Sequence, residues 1–285
     1  MKKYKTDWYL YYLINVTLII LVSFPIYWAF VSSIKPPDEL ITNSPTLFPI
    51  NPTFESYERI WNLEPTSSRG NVRSAFTNSA IVSIGTVVVS AVISTLAAYA
   101  LTILRTPFRH FIFLLIIMPI LIPGISLLIP LYKLVKELGL MNSYLGLILI
   151  HSTGMLTLGV FLMRNAFMSI PTSLREVALL EGSSELRIMF TVMLPLAIPG
   201  LLTLMVFALY GSWNDFILAF LFVNTIDMEM LNVFLMKLTF AGSQFDTFWG
   251  LLNAGAIISF VPIIIFYIFL QQYFVRGVTG SAVKE

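Results

Sequence analysis

REVALLEGSSELRIMFTVMLPLAIPGL, residues 175–201, sets a charged, helix-like stretch directly before an apolar run. Ser173 and Glu176, just ahead of and inside it, have the S-x-x-E spacing of a capping box and predict a short helix starting there. Leu174, Val177 and Ala178 recur at i, i+3 and i+4 and give that helix one apolar stripe. Gly182 stops it, supplying the backbone freedom that a sharp turn needs. Ser183 or Ser184 can cap a second helix through Glu185, Arg187 and Phe190 towards Pro195, which breaks the register. The expected product is a rigid helix–turn–helix elbow over 171–190.

What surrounds the elbow is far more apolar than a globular chain. Hydrophobic residues make up 57% and charged residues 11% of the 285, where about a quarter charged is usual; the mean hydropathy is +0.85. The chain therefore reads as an all-α, polytopic membrane protein forming one transmembrane domain over 1–285. Apolar runs long enough to cross the hydrocarbon core lie at about 9–31, 74–104, 111–133, 143–163, 198–223 and 250–272. Lys2, Lys3 and Lys5 precede the first run as in a signal peptide, but the run is too long and has no small-residue cleavage site, so it is expected to stay. Six spans put both termini on one side. Arg105 and Arg109 in the short turn after the second span, with Arg164, Arg175 and Arg187 around the elbow, favour cytoplasmic termini and a cytoplasmic elbow.

On the other side, 32–73 is expected to be an external loop. Pro36, Pro37, Pro45, Pro49, Pro52 and Pro65 forbid a long helix there and favour a turn-rich cap too polar to enter lipid. MLNVFLMKLTFAGSQF, 230–245, is too short to span and carries Lys237, so a helix lying at that surface or dipping back is expected. The net charge of +2 gives no reason for a nucleic-acid partner, and the absence of cysteine excludes disulfides, thiolate metal sites and cysteine nucleophiles.

Glu176, Val177, Ala178, Gly182, Val192, Leu194 and Pro195 resemble the "EAA" loop, E-A-A-x3-G-x9-I-x-L-P, of permease subunits in binding-protein-dependent ABC importers, with valines at two positions and no gap. SSIKPPDELITNSPTLFPINPTFESY (32–57), the stretch 118–149, WNDF (213–216), WGLLNAGAIIS (249–259) and the tail QQYFVRGVTGSAVKE are similar to carbohydrate-uptake members, maltose-type G subunits in particular. The resemblance implies a type I importer permease fold in the inner membrane of a prokaryote. It implies a homologous second permease, two ATPase subunits that hold ATP and Mg, an extracytoplasmic sugar-binding protein and a carbohydrate solute. It makes the elbow the coupling helix docked on the ATPase. Glu176, Ala178, Glu181 and Gly182, then Ser184, Arg187, Leu194 and Pro195, carry that contact.

Ionisable groups inside a span are functional candidates, and Asp215 in YGSWNDF (210–216) is the clearest. Eight residues remain from it to Val223, roughly 12 Å at 1.5 Å per residue. Trp213, Asn214 and Asp215 supply the stacking face and polar partners that a sugar needs; alternatively the carboxylate ties helices together through backbone or Asn253. Asn78 and Asn253 are further solute-path candidates: Asn78, Ser79 and Ser83 put polar groups on one face of the second span that could line a water-filled path, whereas Ser90, Ser94 and Ala98 read as small-residue packing. Pro119, Pro123, Gly124 and Pro130 interrupt the third span, as a kinked gate or as plain irregularity. His151 reads as a hydrogen-bonded histidine of the bundle, with a proton-relay group as the alternative.

No G-x4-G-K-[ST] loop is present, so the chain is not itself an ATPase. No H-E-x-x-H occurs and the two histidines lie far apart, which leaves no catalytic or metal-binding set and no cofactor on this chain. A subunit of a proton- or sodium-coupled carrier is the alternative; it calls for inverted repeats and several membrane carboxylates.

Overall fold

The computed structural model describes residues 2–40, 45–66, 68–240 and 245–282. Among them every regular element is helical. The major helices are α1 (Lys2–Ser33), α2 (Val72–Thr102), α3 (Arg109–Ile117), α4 (Leu128–Glu137), α5 (Tyr144–Met168), α6 (Thr172–Leu180), α7 (Glu185–Ile188), α8 (Ile198–Trp213), α9 (Ile217–Phe222), α10 (Leu231–Phe240) and α11 (Phe245–Ala282). Four stretches are long and apolar enough to cross a membrane, within α1, α2, α5 and α11, or six if each of two bent pairs counts as one span.

The bend expected in the third run is found, and the fifth, expected unbroken, is broken as well. The third run splits into Arg109–Leu121 and Gly124–Glu137 at 97°. Ile122 and Pro123 between them are extended, with ψ of 122° and 121°, the conformation that a residue preceding proline prefers. The fifth run, expected unbroken over 198–223, ends as a helix at Trp213 and resumes only at Ile217. Before it, Glu185–Leu196 meets Ile198–Trp213 at 80°.

The chain forms two compact units, residues 1–73 with 234–261, and 74–233 with 262–285. In the first, the expected proline-rich cap holds two short helices, Pro37–Leu40 and Glu55–Trp61; residues 41–44 and 67 of the 32–73 segment lie outside the described residues. Segment 45–50 runs back beside the end of α1, where Tyr27 Oη donates to Leu47 O at 2.7 Å and the Tyr27 and Phe48 rings sit 6.2 Å apart. Leu47, Phe48 and Ile50 are exposed there, so this part of the cap is greasier than its proline count suggested. The helix expected over 230–245 is α10, and 241–244 lie outside the described residues, as do 283–285 of the tail.

In the second unit α5 packs along α8 and α2. Val160, Met163 and Phe167 of α5 join Ala98, Tyr99, Leu204, Ile188 and Met193 in one buried cluster. Ser90, Ser94 and Ala98 are buried as the small-residue stripe predicts. Gly159 permits that closeness: a Cβ there would stand 2.2 Å from Ser94 Oγ and 2.9 Å from Ser94 Cβ. Gly159→Val is expected to destabilise the chain by about 1–3 kcal/mol through overpacking. Thermal unfolding in detergent reads the loss, and Ser94→Gly in the same chain restores part of it.

Candidate functional site

The elbow is present, with a different start. α6 begins at Thr172 after Pro171, and no side chain caps it. The expected capping box does not form, because Pro171 occupies the cap position, which puts Ser173 inside the helix and makes Leu174, not Glu176, the third helical residue. The far end matches expectation. Gly182 has φ +79°, Gly182 N donates to Leu179 O at 3.0 Å and Ser183 N to Ala178 O at 3.1 Å, the hydrogen-bond pair of a Schellman stop. Ser184 then sits extended at the cap position of α7 without a side-chain bond. Beyond Ile188 the helix widens into a π turn over Met189–Met193.

A clasp holds the elbow to the bundle. Glu185 Oε2 accepts from Tyr99 Oη of α2 at 3.0 Å and from Arg175 Nε of α6 at 3.3 Å, and Arg175 Nη2 pairs with Glu185 Oε1. That carboxylate raises the Arg175 guanidinium further above its ordinary value, so the clasp's cation is permanent. Of the expected apolar stripe only Ala178 is buried; Leu174 and Val177 are exposed, together with Leu180 at 89% and Leu186 at 65%. Glu176, Glu181, Gly182, Ser184, Arg187 and Pro195 are also exposed, and Leu194 is half-buried. The elbow thus presents leucine and valine among charges, a surface a partner protein can cover.

The second feature is a cavity of about 210 Å³ walled by Thr86 of α2, His151 and Gly154 of α5, and Gly211, Ser212 and Asp215 at the end of α8. Asp215 lies where α8 stops. Its carboxylate accepts from Ala219 N at 2.8 Å and Leu218 N at 3.3 Å, and its Oδ2 stands 3.8 Å from His151 Nε2. The break is fixed from outside the helix: Asn232 Nδ2 donates to Trp213 O at 3.0 Å and Asp215 O at 3.2 Å. Thr86 lines the cavity, and among the described residues its buried hydroxyl, like those of Ser83, Ser90 and Ser152, has no hydrogen-bond partner. Partnerless buried hydroxyls are costly unless something polar enters.

Not every candidate gathers here. Trp213 is 4% exposed and packs edge-on to Phe76 at 5.4 Å, so its face is not offered to the cavity. Asn214 bonds Tyr210 O of its own helix. Asn78 is spent on structure, donating to Asp227 O and Glu229 O and accepting from Tyr144 Oη. Asn253 belongs to the other unit and bonds Trp249 O. Thr86 and Ser212 went unrecognised as cavity residues, and His151 was read as a histidine of the bundle. His151 and Ser212–Asp215 lie on different helices, so no local spacing announces them.

Residues 90–280 match the family model described as binding-protein-dependent transport system inner membrane component. The chain is 31% identical, over the whole of both chains, to the probable starch degradation products transport system permease protein AmyC of Thermoanaerobacterium thermosulfurigenes. It is 33% identical to the arabinooligosaccharides transport system permease protein AraQ of Halalkalibacterium halodurans, over 92% of this chain and 91% of that one. In fold it is similar to a chain of a bacterial ABC transporter involved in the import of the acidic polysaccharide alginate, with a TM-score of 0.83, 23% identity, and 96% of this chain and 98% of that one covered.

Proposed function

Because the chain belongs to the family of binding-protein-dependent transport system inner membrane components, we propose that it forms half of an ATP-driven pathway for an oligosaccharide. Family membership makes it a multi-pass subunit of the inner membrane that transports rather than catalyses, and sets aside the secondary carrier. The relatives' names, starch degradation products and arabinooligosaccharides, favour a carbohydrate solute. The observation that carries the solute's class is the cavity at His151 and Asp215: a carboxylate, an imidazole and hydroxyls around a void suit a ligand made of hydroxyl groups.

In this reading the termini and the elbow are cytoplasmic, and 32–73 is external and faces the binding protein except where 45–50 lies back along α1. A homologous permease completes the pathway and two ATPase subunits carry ATP and Mg. ATP-driven closure pulls on the exposed leucines and charges of 171–190; Glu185 passes that pull to Tyr99 on α2, and α8 carries it to the cavity. Shifting a bundle between two states this way needs the ATPase to prefer one by several kcal/mol.

The test begins by tagging the chain in its native host and extracting it in mild detergent. An ATPase and a second permease chain are expected in stoichiometric amounts, and a chain that purifies only with itself overturns the importer reading. In the reconstituted assembly, candidate oligosaccharides with the binding protein should stimulate ATP hydrolysis. Asp215→Asn keeps an oxygen for the amides of α9 but loses the charge. About a tenfold loss of uptake at limiting solute is expected, and unchanged uptake removes Asp215 from the solute's path.

A further inference from the structure

The unit made of 1–73 and 234–261 holds another cavity, of about 160 Å³, that shares no residue with the one at His151 and Asp215 and is walled by Trp28, Ser32, Lys35, Glu39, Trp249 and Asn253. Lys35 is 2% exposed. Its Nζ donates to Thr46 O and stands 4.9 Å from the Trp28 ring centroid, and among the described residues no carboxylate pairs with it. Lysines this deep are ordinarily paired. Glu39, one turn further on, gives one oxygen to Ile50 N at 2.9 Å and the other to Asn51 N at 2.8 Å. The cavity therefore has an ammonium at one wall awaiting an anion, and at another a carboxylate with lone pairs to spare.

Its depth identifies the visitor. Trp28 lies in the last turns of α1, and Trp249 opens the apolar stretch Trp249–Phe269. Tryptophan at span ends marks the headgroup layer. Leu47 at 56% and Phe48 at 71% exposure are fastened alongside through Tyr27. We propose that this cavity binds the headgroup of a phosphoethanolamine lipid, its phosphate accepting from Lys35 and its ammonium directed to Glu39, with acyl chains on Leu47 and Phe48. A zwitterion matches the opposed charges, and the two apolar side chains account for a ligand that arrives from the bilayer.

The purified chain, with whatever subunits accompany it, is delipidated in detergent, offered phosphatidylethanolamine in mixed micelles, and weighed by native mass spectrometry; this readout is independent of transport. The unmodified chain is expected to retain one lipid that Lys35→Met retains about tenfold less, with Lys35→Arg close to the unmodified chain and a phosphate-free glycosyl diacylglycerol held poorly by all. Asn253→Trp fills the cavity while leaving Lys35 in place, and should lose the same lipid even if Lys35→Met fails to fold. Equal retention by the unmodified chain and Asn253→Trp overturns the proposal. Binding of free phosphoethanolamine as tight as that of the lipid would also overturn it, in favour of a soluble ligand. A zero-length carbodiimide link from Lys35 to a second permease chain would make the cavity a subunit contact instead.

Discussion

A Gly182→Val chain is expected to insert and assemble but to import roughly tenfold more slowly than the unmodified one. Space is not the reason, since a Cβ at Gly182 would meet nothing within 4 Å. Handedness is: φ is +79°, and a β-branched residue held there costs on the order of 1–3 kcal/mol, enough to move a tenfold share of chains out of the turn. When the turn opens, the donations from Gly182 and Ser183 to Leu179 and Ala178 are lost, and α6 no longer sits at a fixed angle to α7. Gly182→Asn separates this cause from mere bulk, because asparagine tolerates the left-handed region. It should keep most of the import rate. Solute uptake by reconstituted vesicles, with ATP hydrolysis followed in parallel, reads the effect, and normal uptake by the valine chain would remove the elbow's angle from the mechanism.

Glu185→Ala is expected to cost about as much, by another route. The carboxylate links α6 to α2 by hydrogen bonds, through Arg175 and Tyr99, beside the apolar contact of the Ala178 cluster, and charge-assisted bonds are roughly twice as strong as neutral ones. Side-chain exposures of 24% for Arg175 and 36% for Glu185 keep the loss of folding stability modest, because water screens the pair. The loss should fall on coupling: ATP hydrolysis persists while uptake drops about tenfold, as expected when a unit that acts together is broken. Arg175→Ala combined with Glu185→Ala should be little worse than either alone, as for residues in direct contact. Losses that simply add would show that the two side chains act separately.

The elbow and the spans were legible because both are written in local pattern. Gly182 stands where a helix with an apolar repeat runs out, and apolar runs announce membrane segments whatever their neighbours do. The capping box failed because S-x-x-E spacing says nothing of Pro171, which started the helix earlier. The proline-rich third span was legible as broken, but the 97° angle depends on two successive extended residues, Ile122 and Pro123. The break after Trp213 was not legible at all. It is held open by Asn232, whose amide satisfies two carbonyls from another segment, and no window centred on WNDF contains that residue. The same separation hid the pairing of His151 with Asp215.

The π turn over Met189–Met193 has a mechanical meaning for the proposed coupling. An α-helix is a screw of fixed pitch, so twisting one end turns the other by the same angle. A π turn carries one surplus residue per loop, and that surplus can absorb a change of winding. Between the clasp at Glu185 and the bend at Ala197, the proposed coupling would therefore run through a joint that passes on thrust while taking up torque. An ATPase that rocked the elbow would deliver displacement to α8 without spinning the face that carries Ser212 and Asp215.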